Sequence, residues 1–286
     1  MNRSANELRS NLESLIASYG SAVVGYSAGV DSSVVAAAAW HALAGKALAV
    51  TAVTETITTD DLLLAAQVAE QLGIAHQWLY YNELDIPNYA ANPTNRCYFC
   101  KDALYVRLRQ AADDVGYNAV LDGSNADDAG DYRPGRKAAQ EQGVKSPLLE
   151  LGITKAEVRQ LATLYGLPNH DKPSAPCLSS RVPYGTRITR EILEKIAAAE
   201  SALRRLGFRE LRVRHHDQVA RIELPPSDFQ RAIELAPQVD DAVRAAGYAY
   251  VSLDLRGFRS GALNETLSET LTETLTQIQL PSQLTT

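Results

Sequence analysis

Apolar and polar positions follow two different periods along this chain. Over residues 5–18 the apolar side chains recur at helical spacing (Leu8, Leu12, Leu15, Ile16) and the run ends at Gly20, which predicts an amphipathic helix. "AVVGY" (22–26) is a short apolar run bounded by small residues, the pattern of a strand buried on both faces. An Ala/Val-rich helix is expected over 32–44 and a second strand at "ALAVTAV" (47–53). "TTDDLLLAAQVAEQLG" opens on capping residues and closes on Gly73, so it reads as a helix. A third strand is expected at "HQWLYY" (76–81), a helix at 100–116, a fourth strand at "AVLDG" (119–123) and a helix at 154–165. Strands alternating with helices of these lengths imply an α/β fold, a doubly wound and mostly parallel sheet.

From about residue 187 the pattern changes. A helix at 189–205 precedes "ELRVRHH" and "VARIEL", two strands about a turn at Asp217-Gln218. His215 and His216 are expected in a turn. A helical stretch over 226–246 and a strand "YVSLDL" (250–255) complete a smaller α+β domain, with antiparallel pairing. The C-terminal "ETLSETLTETLTQIQLPSQLTT" repeats a Glu-Thr-Leu-Ser/Thr unit and is low in complexity. The expected organisation is therefore two domains, 1–186 and 187–262, and a tail at 263–286.

Composition narrows the partners. With 286 residues, 45% hydrophobic and 22% charged, the chain can build a substantial core. No apolar run approaches the roughly 18–20 residues of a membrane-spanning helix, and "MNRSANELRS" lacks the layout of a secretory signal. No membrane partner is expected. Three cysteines cannot make a complete disulfide framework, which points to a reducing cytoplasm. A net charge of −6 argues against a broad footprint on phosphate backbones. The expected partner is a small molecule, with no nucleic acid.

Three stretches carry candidate chemistry. "GYSAGVDSS" (25–33) lies between the first strand and the following helix. Small residues let backbone approach a ligand, Gly29 can take up positive φ, and Ser27, Ser32 and Ser33 offer hydroxyls. Asp31 beside a phosphate suits a magnesium ion or an orienting role. There is no Gly-Lys-Ser/Thr and no Gly-x-Gly-x-x-Gly; the plain alternative is a Ser-rich cap on a crossover helix. After the fourth strand, Gly123, Asp127, Asp128, Arg133 and Lys155 are placed to reach a nucleotide and its metal, or else line a solvated loop. "GLPNHDKPSAPCLSSRVPYG" (166–185) is Pro-rich and extended. There Cys177 stands among Ser179, Ser180 and Arg181, polar and electropositive surroundings that favour a thiolate. Arg212 and Arg214, two apart on a strand, share a face and could fork onto a phosphate. By itself the pair Cys97 and Cys100 in "NRCYFCK" fits zinc, redox chemistry or chance.

"SAGVDSS" resembles the Ser-Gly-Gly-x-Asp-Ser pyrophosphate loop of the PP-loop ATP pyrophosphatases. Ala28 replaces the first Gly, which is tolerable only if that position does not need positive φ. Continuing through "RCYFCK", "DGSNADD", "RPGRKAA", "DKPSAPCLSSR" and "YGTRIT", the chain resembles the LarE family, sulfur-inserting enzymes of nickel-pincer nucleotide biosynthesis. The resemblance implies a PP-loop, adenine nucleotide alpha hydrolase-like fold, ATP with Mg2+, and frequently a homo-oligomer. It implies adenylation of the carboxylates of pyridinium-3,5-biscarboxylic acid mononucleotide, then displacement of AMP by sulfur to give thiocarboxylates. Nucleotide-binding roles fall to Ser27, Ala28, Gly29, Asp31, Ser32, Ser33, Gly123, Asp128 and Arg133. Substrate-binding roles fall to Arg181, Glu200, Arg212 and Arg214. Some members have one cysteine, matching Cys177, and sacrifice its sulfur. The three-cysteine layout implies instead a [4Fe–4S] cluster on Cys97, Cys100 and Cys177, with one iron left for the transferred sulfur. A Cys177 persulfide resolved by the other two is the alternative. The nearest rival is a PP-loop tRNA thiolase, which would need an RNA-tracking surface.

Overall fold

The computed structural model describes residues 3–130, 134–173 and 176–259. The chain divides into two compact units, one running to Cys177 and including 187–190, the other comprising Leu178–Thr186 and the residues from Glu191 onward.

In the first unit α1 (Ala5–Ala17) begins on Ser4, whose hydroxyl accepts from Glu7 N, and buries Leu8, Leu12 and Ile16 on one stripe. There follow β1 (Ala22–Gly25), α2 (Val30–Leu43), β2 (Ala47–Val53), α3 (Thr59–Leu72), β3 (Ala75–Tyr80), α4 (Arg96–Asp114) and β4 (Ala119–Leu121). Next come α5 (Pro134–Glu141), α6 (Pro147–Glu150) and α7 (Lys155–Leu164). The four strands are parallel in the order β3-β2-β1-β4. Side chains of β1 alternate between two cores, as strand geometry requires. Ala22 and Val24 pack with Leu8, Leu12 and Ile16 of α1 and Leu161 of α7. Val23 packs with Leu48, Val50 and Val120 and with Tyr105 and Leu108 of α4. Helices therefore cover both faces, which explains why β1, β2 and β4 read as continuous apolar runs, whereas β3, at the sheet edge, carries His76 and Gln77 and is partly exposed. Winding proceeds from β1 outward to β3 and then reverses to β4 on the other side of β1. That reversal falls between the loops after β1 and β4, the position at the carboxyl edge where doubly wound sheets bind ligands.

The helix bearing the cysteine pair starts four residues earlier than expected, at Arg96. Asn95 stands at its N-cap but makes no side-chain hydrogen bond to the first turn. Cys97 and Cys100 consequently lie on the helix itself, one turn apart, and not in a loop before it.

The second unit begins its regular structure with α8 (Arg190–Arg205), β5 (Arg212–His216) and β6 (Val219–Glu223). A tight turn joins these antiparallel strands, with Asp217 in the left-handed region at φ 51°. The expected continuous helix over 226–246 is broken into a 3-10 turn (Pro226–Asp228), α9 (Phe229–Glu234) and α10 (Ala236–Ala245). Pro237, which has no N–H, is accommodated in the first turn of α10. The two helices carry the chain back so that β7 (Tyr250–Leu253) pairs with β6 in parallel, not antiparallel as expected. His215 and His216 belong to β5 and not to the turn, and His215 is buried. Val213, Ala220 and Ile222 face the core with Leu203, Phe208, Val239 and Val243. Arg212, Arg214 and Arg221 therefore share the opposite face of the sheet.

Candidate active site

The loop after β1 turns sharply before α2. Ala28 has φ 53° and is fully buried, while Gly29 is extended at φ −71°. This reverses the expectation: the position occupied by alanine does require positive φ, and the glycine beside it does not. Ser32 Oγ accepts from Ser27 N at 3.2 Å and donates to Gly29 O at 3.1 Å, closing the turn on itself. Ser27 Oγ lies 3.2 Å from Ser32 Oγ. Asn169 Nδ2 donates to Ala28 O and to Ser33 Oγ, both at 2.9 Å. Its Oδ1 is buried without a hydrogen-bond partner among the described residues, so the amide is oriented by what its hydrogens reach.

The loop after β4 comes against the start of α2. A Cβ on Gly123 would lie 2.8 Å from Ser32 N and 3.1 Å from Asp31 C, so only glycine allows this approach. Asp31 accepts from Asn125 Nδ2 at 3.1 Å and forms an ion pair with Lys155, the first residue of α7. Lys155 N donates to Asp127 Oδ2 at 2.8 Å, and Asn125 N donates to Asp128 Oδ2 at 3.0 Å. The acids are thus tied to the crevice by Asn125 and Lys155. Arg133 lies outside the described residues.

Cys97 is exposed and Cys100 half-buried. Cys100 Sγ donates to Glu83 Oε1 at 3.2 Å. Glu83 is buried, and its second oxygen accepts from Thr56 Oγ1 at 2.8 Å and Tyr89 OH at 2.9 Å. Burial, and next the Glu83 carboxylate, push the Cys100 thiol well above its ordinary range; Lys101 opposes this and Cys177 adds to it. Cys177 is therefore within electrostatic reach of Cys100. Lys101 is held charged, chiefly by Tyr105 against its own burial, with Cys100, Asp122 and Cys97 contributing. Three thiols are the donor set of a [4Fe–4S] cluster with one open iron, and two share a helix face, so the residues suit the group chemically. As placed they are not drawn together: among the described residues no three His, Cys, Asp or Glu side chains are gathered to hold a metal ion. Cluster binding would first require Cys100 to release its bond to Glu83.

In the second unit the guanidiniums sit among buried carboxylates. Arg181 forks onto Glu200 at 2.8 and 3.1 Å, and Glu200 also accepts from Arg204 at 3.0 Å and Val213 N at 3.1 Å. Glu200 therefore holds Arg181 in place. Arg214 forks onto Glu223 at 2.9 Å through Nε and Nη2, and its Nη1 donates to Ser180 O at 2.7 Å. Arg212 is different. It stacks on Phe258 at 4.6 Å and donates weakly to Arg259 O at 3.4 Å, with no carboxylate at ion-pair distance among the described residues. Burial, then Arg214 and Arg181, press its pKa down to about 10. Arg212 is thus a buried cation beside two others, with Glu223 and Glu200 acting in the opposite direction.

Sequence reading missed Asn125, Asn169, Lys172, Glu83 and Lys101. Asn169 and Lys172 lie in the extended loop whose sequence signals centred on Cys177 and Arg181. Glu83 sits in a short 3-10 turn with no motif of its own.

A parallel sheet with a serine-rich turn and glycine-assisted approach at its switch point defines a nucleotide-handling α/β domain of the PP-loop type. The asparagine synthase family profile matches residues 21–221. An uncharacterised protein of Synechocystis is 48% identical over 262 residues, spanning 90% of this chain and 98% of its own. The pyridinium-3,5-bisthiocarboxylic acid mononucleotide synthase of Lactiplantibacillus plantarum is 39% identical over 244 residues, 85% of this chain and 88% of that protein. An uncharacterised protein of Methanocaldococcus jannaschii is 29% identical over 169 residues, 59% of this chain and 66% of its own. The chain belongs to the LarE family of PP-loop ATP pyrophosphatases. Membership makes it an enzyme and implies ATP and Mg2+. Among the described residues no helix is long and apolar enough to cross a membrane.

Proposed function

We propose that this chain is an ATP-dependent sulfurtransferase of nickel-pincer nucleotide biosynthesis, converting the carboxylates of pyridinium-3,5-biscarboxylic acid mononucleotide to thiocarboxylates. The observation that carries this reading is the 39% identity, over 85% of the chain, to a protein named for the bisthiocarboxylic product, in a chain with a phosphate loop and three cysteines.

A substrate carboxylate oxygen attacks the α-phosphorus of ATP and pyrophosphate leaves, giving an acyl adenylate. Ser27, Ala28, Gly29, Ser32, Ser33 and Gly123 cradle the departing pyrophosphate through backbone N–H groups and hydroxyls at the start of α2. Asp31 and Asp128 stand beside Lys155 and Asn125, where they would position the magnesium-bound phosphates. Arg133, by the same reading, contributes a further cation. Arg212 supplies the uncompensated positive charge for the mononucleotide phosphate, with Arg181 and Arg214 set rigidly beside it by Glu200 and Glu223. A sulfur nucleophile then attacks the acyl carbon and AMP departs. Cys97, Cys100 and Cys177 would hold a [4Fe–4S] cluster, which supplies an iron that can carry sulfide. Glu83, which accepts the Cys100 thiol hydrogen bond, would be placed to take that proton were the thiol to become a ligand.

Purified protein incubated with ATP, Mg2+, a sulfur source and the biscarboxylic mononucleotide tests this. AMP, pyrophosphate and thiocarboxylate should appear together, over repeated turnovers, with the intact protein mass unchanged. Absence of substrate-dependent AMP overturns the function. Loss of one sulfur from Cys177 per product overturns the carrier role and makes the cysteine sacrificial.

A further inference from the structure

Ala28 occupies backbone space that disfavours every residue with a Cβ. Its φ is 53° and its side chain is fully buried, so it has no outward path to relax. A strained residue of this kind persists only when its surroundings over-determine it. Here they converge on one atom. Ala28 O accepts from Asn169 Nδ2 at 2.9 Å and from Lys172 Nζ at 3.4 Å. The same Asn169 amide donates to Ser33 Oγ at 2.9 Å, so one buried side chain spans both ends of the turn. The clamp is itself braced. Lys172 N donates to Asn169 O at 3.0 Å. Arg159 of α7 donates to His170 O and Lys172 O at 3.0 and 3.1 Å. Lys172 Nζ also pairs with Asp61 of α3 at 2.8 Å. Because a peptide is planar and trans, drawing the Ala28 carbonyl toward Asn169 sends the Gly29 N–H to the opposite side.

We infer that Asn169, assisted by Lys172, is a positioning residue that holds the phosphate loop ready for the pyrophosphate of ATP by clamping the Ala28 peptide. Side-chain donors here do what a glycine at position 28 would do through its own conformational freedom. Asn169 acts through the loop backbone and not on the substrate. The inference rests on the reading of this loop as the pyrophosphate site.

The test measures ATP and AMP affinity by calorimetry for the full chain, Asn169→Ala, Ala28→Gly and the double variant. Losing the clamp should weaken ATP binding by about tenfold, the worth of one good hydrogen bond. AMP, which lacks the β,γ-pyrophosphate, should bind within about twofold of wild type. In the Ala28→Gly background the same substitution should cost about threefold or less, because glycine carries no Cβ penalty at positive φ. Unchanged ATP affinity in Asn169→Ala, equal losses for ATP and AMP, or an undiminished loss in the Ala28→Gly background each overturn the inference. If Asn169→Ala does not fold, Lys172→Met is read by the same three criteria. A wild-type chain that binds no ATP would instead sink the nucleotide reading beneath, a failure visible before any variant is compared.

Discussion

Cys100 keeps its proton because its thiol is half-buried and bonded to a carboxylate that is itself buried. A second negative charge at that spot is disfavoured by desolvation first and by Glu83 next. Cys97 on the same helix is exposed. Iodoacetamide labelling of the iron-free protein followed by mass spectrometry should therefore modify Cys97 first at pH 8, with Cys100 slower by about tenfold or more. Glu83→Gln should move Cys100 labelling to lower pH, since it removes a charge that opposes the thiolate. Equal labelling of the two in the wild-type chain would contradict this. Arg212 presents the opposite sign. Its pKa is lowered to about 10 by burial and by Arg214 and Arg181, so the unfolded chain binds that proton more tightly. Stability from this group thus rises with pH only from about pH 10 upward, and at neutral pH its charge opposes folding. Arg212→Met should raise the melting temperature in anion-free buffer by about 2 °C. The same variant should lose about tenfold or more in phosphate affinity. A lower melting temperature with phosphate affinity unchanged would show that Arg212 supports the fold and is not poised for an anion.

At the scale of elements, the crevice depends on how closely the loop after β4 meets α2. Gly123 makes that contact possible, because the atoms facing it are backbone atoms of Asp31 and Ser32 and cannot swing aside. Gly123→Ala should destabilise the first unit by about 1–3 kcal/mol in urea unfolding. It should also weaken ATP binding, whereas alanine at exposed Gly143 removes no such approach. Wild-type ATP affinity in Gly123→Ala would show that the two loops need not touch. Much of this unit was legible in sequence: β1, β2 and β4 were compact apolar runs, and α1, α3 and α7 opened on capping residues, Ser4, Thr58 and Thr154. The start of α4 was not read, although Asn95 is a capping residue type; in the fold it makes no side-chain cap bond. The direction of β7 was hidden for another reason. A strand pattern shows which faces are apolar, while parallel or antiparallel pairing follows from where two intervening helices return the chain.

Over the whole molecule, a net charge of −6 coexists with a local surplus of arginine around Arg212 in the second unit. That combination favours one small anion over a long polyanion. Filter binding at physiological salt should show no retention of tRNA, and tight retention would revive the thiolase alternative. Anaerobically purified protein should contain iron with the Mössbauer signature of a [4Fe–4S] cluster, and Ala substitution at Cys97, Cys100 or Cys177 should each remove it. An iron-free protein that turns over repeatedly would leave the persulfide route. The sequence by itself determined the alternation of strands and helices, the placement of the serine-rich turn at a strand end, and the three cysteines, because these depend on local periodicity and residue type. Tertiary structure alone decided that Ala28 is the residue at positive φ, that Asn169 clamps it from across the unit, and that Glu83 holds the Cys100 proton. Those are contacts between residues 17 to 141 positions apart, and only the packing of the folded chain brings such partners within a hydrogen bond.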